Sequence, residues 1–558
     1  MCIRDSGDTD LYVINMGLPN RLYQNQLIDS GTLSFVDVTN IAGVNGINSL
    51  IRASDNNANS NNSEDSLTAT WFDPDRDGDL DLYVGNHNDF SDSLPFDGAP
   101  DTFYMNNGDG TFSDVTAQFN LGGHEDANGN PGNFADTNAV VSSDINNDGW
   151  PDLIVTNKSG SNANGTDNID QFYINNGVDS NGNWLGFETQ TYMSNLAGVF
   201  DDNLITRSAM GMSIADIDRD GDFDIYMSDN PESGISGIDG SSDLFVNQLA
   251  QTGVLSFEHG LVDTGLSWGV QIQDFDNDGD VEIHTTNDTN ANSGYASLLE
   301  FVDLDVLLRP KTDADSNNPL FQGRFANTIP IGDIVANVID IAVPAGSGNF
   351  MGNGRGNLAA DFNRDGRLDM FIVNLNNDVR DGSLANVPSR LLLNTTTNSN
   401  NYLNLELIGD PENQSQEGFA TSLDAVGSRV IVTADVDGDG TVEMQTREVR
   451  AATGNSGSTS SLNLSFGLGS ATEADVTVIW ADGRSMDMGQ VVANQFMVVS
   501  QGFLLGDVND DGVIDLLDVA PFIDLIINGG FNPAADLNGD GLVDLLDVSP
   551  FVDLLIGG

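Results

Sequence analysis

Asp73, Asp75, Asp77 and Asp81 set carboxylates at positions 1, 3, 5 and 9 of one short stretch, with Gly78 at position 6. Alternate carboxylates around a residue that turns the chain sharply suit a hard cation of calcium size, which takes about six to eight oxygens from a flexible loop. The pattern returns as Asp216, Asp218, Asp220, Gly221, Asp224 and as Asp274, Asp276, Asp278, Gly279, Glu282. With asparagine at position 3 it reads Asp144, Asn146, Asp148, Gly149, Asp152 and Asp361, Asn363, Asp365, Gly366, Asp369. The expected ligands are the side chains at 1, 3, 5 and 9 and the backbone carbonyl at 7. That assignment lets position 7 vary among Asp79, Trp150, Asp222, Asp280 and Arg367. A single copy reads equally as a tight turn closed by Asx hydrogen bonds. Five complete copies favour the metal.

The elements that position these loops repeat with them. Ninth positions fall at residues 10, 81, 152, 224, 282 and 369, at intervals of 71, 71, 72, 58 and 87. An apolar strand enters each loop (LTATWF, AMGMSIA, SWGVQIQ) and another leaves it (LDLYVGN, FDIYMSD, LDMFIVN). A third follows (RLYQN, TFYMNN, QFYINN, DLFVNQ), then a fourth (FVDVT, FSDVT). Four short strands joined by Gly, Asn and Asp turns predict a β-propeller blade. The units resemble FG-GAP or VCBS repeats, the calcium-loop blades of integrin-type propellers, over residues 7–396. The resemblance implies about seven blades in the intact protein, of which six are countable. Residues 283–349 fit the unit poorly, and PKTDADSNNP reads as a loop insertion.

The chain opens on MCIRDS, which resembles a translated sequencing adapter. Gly7 to Val13 align with Gly78 to Val84, so the missing ligand positions would fall on Cys2, Arg4 and Ser6, none of which suits calcium. The expectation is that residues 1–6 are an artefact and that the natural N-terminus, with any export signal, has been lost.

From Asn401 the period changes. NYLNLELIG, VGSRVIVTA, TREVRA, SLNLSFGLG and ADVTVIWADG alternate and are separated by turns, predicting a small all-β domain over 401–500. Gly427 to Val430, Arg447 to Val449 and Phe466 to Gly469 resemble the ASPIC/UnbV domain, which follows FG-GAP repeats in cartilage acidic protein and many bacterial secreted proteins. Where that family tends to have WPxG, this chain has Trp480, Ala481, Asp482, Gly483. Asp435, Asp437, Asp439, Gly440 and Glu443 repeat the metal spacing, although a plain acidic turn would look the same. Arg429, Arg447 and Arg450 are expected to pair with local carboxylates rather than with a ligand.

Residues 503–558 contain a motif duplicated at an offset of 29. Positions 1, 3, 5, 7, 9 and 12 of an EF-hand-like loop are Asp507, Asn509, Asp511, Val513, Asp515, Asp518, then Asp536, Asn538, Asp540, Leu542, Asp544, Asp547, with position 7 serving through its carbonyl. Apolar residues at helical spacing follow each loop. The pair resembles a type I dockerin, which implies a small α-helical calcium-binding domain and a cohesin-like partner. It departs at loop positions 10 and 11, where the family usually offers small hydroxyl residues and this chain has Leu516, Leu517, Leu545 and Leu546.

Composition narrows the function. The 558 residues predict two to four domains or a large repeat array. A hydrophobic content of 39% is enough for packed cores despite the net charge of −66. Nineteen Lys and Arg against 85 Asp and Glu argue against nucleic acid and anionic lipid as partners. Cys2 is the only cysteine, so calcium rather than a disulfide is the expected staple. No apolar run approaches the roughly 20 residues of a membrane helix. His87, His124, His259 and His284 show no paired zinc spacing, and most acids are better explained as ligands than as a glycosidase pair. The expected protein is mainly β, secreted or displayed on the surface, and non-catalytic. Three readings stand: a calcium-dependent binder of protein or glycan, a component of an extracellular polysaccharide-degrading system, and a purely structural protein.

Overall fold

A computed structural model describes residues 10–15, 18–27, 32–46, 65–87, 100–121, 136–158, 170–189, 209–229, 241–263, 267–287, 306–310, 338–340, 354–374, 389–411, 418–452 and 461–501. In the tail it describes residues 506, 508, 514, 516–528, 533–535, 537 and 543–557.

The strand leaving the first complete loop, Asp81–His87, carries apolar residues on both of its faces, and both must be covered. Leu82 and Val84 pack in one cluster with Tyr12 and Leu22 of the preceding unit. Tyr83 packs in another with Val140, Leu153 and Tyr173 of the following unit. The same division places Tyr226 on one side of its strand and Ile225 and Met227 on the other. Sheets stacked side by side satisfy such strands.

Six antiparallel sheets follow one another, each strand pairing with the next in sequence. Blade 1 is Leu11–Val13, Arg21–Asn25 and Phe35–Asp37. Blade 2 is Asp65–Phe72, Asp81–His87, Thr102–Asn106 and Phe112–Asp114. Blade 3 is Asp136–Ser143, Asp152–Lys158, Gln171–Asn175 and Phe187–Thr189. Blade 4 is Ala209–Ala215, Asp224–Asp229, Ser241–Asn247 and Phe257–Asp263. Blade 5 is Ser267–Gln273, Glu282–Asn287, Val306–Pro310 and Val338–Asp340. Blade 6 is Gly354–Ala360, Asp369–Asn374 and Arg390–Leu392. The first strands of blades 2 to 6 lie beside one another in succession, the propeller arrangement.

Two details differ from expectation. Blade 5 does have its third and fourth strands within the ill-fitting segment, while residues 311–337 lie outside those described. The fourth strands are shorter than read, because FVDVT and FSDVT stop at Asp37 and Asp114 and turn into the short helices Thr39–Ala42 and Thr116–Phe119. Each aspartate accepts from the threonine two residues on, backbone N–H at 3.1 Å and hydroxyl at 2.5 and 2.7 Å, a local bond that competes with the ladder.

The first strands come close enough to forbid side chains. A Cβ at Gly211 would lie 2.1 Å from the carbonyl oxygen of Trp268 in the next blade. Gly211→Ala should therefore cost about 1–3 kcal/mol. Urea melts at constant calcium check this, and a cost under about 0.5 kcal/mol would mean the strands are farther apart.

Beyond the blades, residues 401–500 form two sheets. One runs Leu464–Gly469, Asn401–Ile408, Gln495–Ser500, with the last pair parallel; the other runs Glu443–Glu448, Arg429–Ala434, Glu473–Ile479, Ser485–Val492. Their core of Leu403, Val430, Phe466, Val476 and Trp480 is continuous with the cluster between blades 1 and 2. In the tail, helices Val519–Asn528 and Val548–Gly557 meet through stacked Phe522 and Phe551 rings, 4.1 Å between centroids.

Candidate metal centres

Each propeller loop is the hairpin between the first and second strands of blades 2 to 6: position 1 follows the first strand and position 9 opens the second. Two backbone positions turn left-handed in every copy. Position 4, held by Arg76, Asn147, Arg219, Asn277 and Arg364, has φ between 56° and 64°, and the glycine at position 6 has φ between 86° and 95°. The second region strains any residue with a Cβ, which accounts for the repeated glycine. Its N–H turns back to position 1: Gly78 donates to Asp73 at 2.9 Å, and Gly149, Gly279 and Gly366 to Asp144, Asp274 and Asp361 at 2.8 Å. Position 7 donates to the carboxylate at position 5, at 2.9 Å from Asp79, Trp150, Asp222 and Asp280 and 3.1 Å from Arg367.

Position 9 is bound from outside the loop. An asparagine at or just beyond the end of the blade's third strand donates its N–H to it: Asn106 to Asp81, Asn175 to Asp152, Asn247 to Asp224 and Asn394 to Asp369, at 2.7 or 2.8 Å. Asn25 donates to Asp10 at 2.6 Å in the same way, so Asp10 occupies a ninth position although residues 1–9 lie outside those described. The other oxygen accepts from position 2, as Ile217 to Asp224 at 2.8 Å. In the first complete loop position 2 is Pro74, which has no N–H, and Asp81 Oδ2 has no partner.

What remains is a set of buried oxygens without donors. They are Asp75 Oδ1, Asp81 Oδ2, both oxygens of Asp216, Asp218 Oδ1, Asp274 Oδ1 and Glu282 Oε1. Ligand atoms of Asp73, Asp75 and Asp77, of Asp216, Asp218 and Asp220, and of Asp274, Asp276 and Glu282 lie within 4.8 Å of one another. Burial first, then neighbouring carboxylates, pushes Asp77 and Asp278 up to about 6 and Asp274 to about 8. Burial likewise raises Asp218 to about 6, Asp216 to about 7, and Asp73, Asp81, Asp152, Asp224 and Glu282 well above the carboxylate range. Converging, dehydrated and mutually repelling oxygens fit a divalent cation, which would neutralise them and fix the hairpin.

The remaining predicted residues divide. Asn146 and Asn363 donate to Asp148 and Asp365 at 2.9 and 3.0 Å, so those two loops carry one charge fewer. The hairpin 435–443 repeats the propeller backbone, with left-handed Gly438 and Gly440 and a 3.0 Å bond from Gly440 N–H to Asp435. Asp435, Asp437 and Asp439 converge, and Asp435 Oδ1 and Glu443 Oε2 are buried without partners. In the tail, Asp507, Asn509, Asp511, Val513, Asp515, Asp536, Asn538, Asp540 and Leu542 lie outside the described residues. Asp518 and Asp547 are fully buried immediately before their helices.

Position 4 was not among the expected functional residues. Its side chain reaches the next loop: Arg76 donates to the Gly149 carbonyl, Asn147 to Asp222 at 2.6 Å, Arg219 to Asp280, and Asn277 to the Gly366 carbonyl at 2.9 Å. Arg364, in the last described loop, packs instead on the ring of Phe496 at 5.6 Å. The signal was in the sequence as Arg or Asn at one fixed place in every copy.

The domain at 401–500 sits on all five loops. Ala420 N–H donates to the Arg76 carbonyl at 2.9 Å, and Phe419 meets Trp150 edge-on at 5.2 Å. Arg429 pairs with Asp144 at 3.1 Å, and Glu448 accepts from Asp144 N–H at 3.2 Å. Glu443 pairs with Arg219 at 3.1 Å, Arg450 donates to the Ile214 carbonyl at 2.8 Å, and Gly469 N–H donates to the Asn277 carbonyl at 2.9 Å. Tyr402 lies over Gly366, where an added Cβ would clash with its ring. Arg429 thus pairs with a carboxylate across the interface, not a local one, whereas Arg450 holds its neighbour Glu448 at 2.7 Å.

Family comparisons place three segments on this architecture: an FG-GAP-like repeat at residues 144–227, ASPIC and UnbV at 418–503, and a dockerin type I domain at 505–550. The chain carries FG-GAP-like, ASPIC/UnbV and dockerin type I segments, in that order. No curated protein matches it. Among solved structures, the rhamnogalacturonan lyase YesW is 12% identical, covering 79% of this chain and 74% of its own at a TM-score of 0.29. The rhamnogalacturonan lyase PL11 of Bacillus licheniformis is 14% identical, covering 78% and 72% at 0.29. At that TM-score neither likeness bears on the fold or activity of this chain.

The FG-GAP-like match begins just after the first strand of blade 3 and runs into the second strand of blade 4, including two of the loops. Dockerin type I domains bind calcium, occur in extracellular proteins and imply a cohesin partner. In this dockerin segment Leu516 and Leu545 are 80% and 77% exposed, so the residues at position 10 face solvent. No helix among the described residues is long and apolar enough to cross a membrane.

Proposed function

We propose that this is a secreted or cell-surface calcium-binding protein whose propeller is a non-catalytic recognition module for a protein or glycan, tethered through its dockerin segment. Ions would be held by the side chains at positions 1, 3, 5 and 9 of the propeller loops, by hairpin 435–443 and by the two dockerin loops. The observation that carries this reading is the recurrence of buried carboxylate oxygens without donors at the same hairpin of blades 2, 4 and 5. Calcium would supply rigidity and charge neutralisation rather than chemistry. Because the ASPIC/UnbV segment occupies the loop end of the blades, ligand recognition belongs to surfaces away from it.

The dockerin type I match favours a second reading, a component of an extracellular polysaccharide-degrading assembly. Glycan-array binding followed by a reducing-sugar release assay on the calcium-loaded protein separates the two. Calcium-dependent binding without release is expected. Release of reducing ends would transfer the protein to the second reading, and absence of any ligand or cohesin would leave a structural role. Pulldown with cohesins tests the tail.

A further inference from the structure

We propose that the ASPIC/UnbV segment is a metal-latched cap, seated on the propeller only while the loops hold their ion-binding shape. The inference rests on the calcium reading above and concerns what the ions control.

The cap grips loop backbone. Ala420 and Gly469 donate to the carbonyls of Arg76 and Asn277, both position 4 residues in the left-handed conformation, φ 58° and 59°. Asn400 donates to the Asp276 carbonyl at 3.0 Å, and Arg429 to the Asp144 carbonyl. Those carbonyls point at the cap only while each hairpin keeps its double turn. Unpartnered oxygens of Asp216 and Asp274, 2% and 1% exposed, face into the hairpins beneath. Without a cation, repulsion among the carboxylates of loop 274–282 is relieved by opening it, which carries the Asn277 carbonyl away from Gly469. Charge alone gives the opposite sign, since Arg429, Arg447 and Arg450 would be drawn more strongly to bare carboxylates. The backbone bonds make shape the deciding factor.

Hydrogen exchange on the intact protein, with calcium or with chelator, tests this alongside small-angle scattering and elemental analysis for bound metal. Chelation should speed exchange at Ala420 and Gly469 by about tenfold or more and lengthen the particle, while Val430 and Val432 inside the cap stay protected. Two single-loop variants guard against general unfolding. Asp278→Asn, at position 5 where every copy keeps aspartate, should speed exchange at Gly469 and leave Ala420 unchanged, and Asp77→Asn should do the reverse. Calcium released with exchange and scattering unchanged would overturn the latch and leave the calcium reading intact, as would equal responses at both amides in either variant. No bound calcium in any sample would overturn both.

Discussion

Stripping calcium from the intact protein should lower its melting temperature by on the order of 10 °C. At extracellular calcium of about 1 mM and a Kd of about 0.1–1 mM, each ion contributes roughly 0.4–1.4 kcal/mol, so five propeller loops contribute about 2–7 kcal/mol. Whole domains are stable by about 5–15 kcal/mol, so the loss is large. Calorimetry on chelated and replete samples measures it. Coincident melting curves with no bound metal would remove the basis of the calcium reading.

Acidity should act in opposite directions on the two samples. In the metal-free fold the carboxyls of Asp77, Asp216 and Asp274 sit at about 6, 7 and 8, above the usual carboxylate value near 4 that they recover on unfolding. A raised carboxyl binds more protons folded than unfolded, so its penalty is absent below about pH 4 and complete above its folded value. Chelated protein should therefore gain stability as pH falls from 8 to 5. The replete protein should lose stability over the same range as protons displace calcium. Parallel trends would contradict the placement of these carboxyls.

The second large effect is expected at Asp224. This residue is fully buried and accepts from Asn247 N–H and Ile217 N–H, both at 2.8 Å. Asp224→Ala strands two buried donors at about 1–3 kcal/mol each and removes a charged ligand, so in calcium it should cost about 3–6 kcal/mol. Asp224→Asn keeps one acceptor oxygen, discards the charge and turns its NH2 against one of the two N–H donors. Its cost should be larger in calcium than in chelator, where the stranded donor remains but the buried acid is driven towards its neutral form. Denaturant melts in both buffers check the pair, and equal costs for Asp224→Asn in the two would mean that no ion is bound there.

Much of this was written locally. The hairpins could be read because their glycines answer a backbone demand and their carboxylates an electrostatic one, each within nine residues. The blade strands could be read because a sheet covered on both faces needs apolar residues at successive positions, as in Leu82, Tyr83 and Val84. Blade 5 was hard to read because its third and fourth strands are separated by residues 311–337, and no fixed spacing links them. FVDVT looked like one strand because β-propensity does not register an aspartate side chain taking a hydrogen bond that the ladder would otherwise have used.

The sequence by itself determined the repeating unit, the spacing of the acidic loops and the order of the three segments, since each depends on residues close together in the chain. Only the tertiary structure decided that the loops are linked through position 4 and that the ASPIC/UnbV segment lies across them. Those contacts join residues such as Asp144 and Arg429, nearly three hundred positions apart, whose pairing depends on how whole sheets stack. An arginine carries the same charge whichever carboxylate it meets, so no local pattern names its partner.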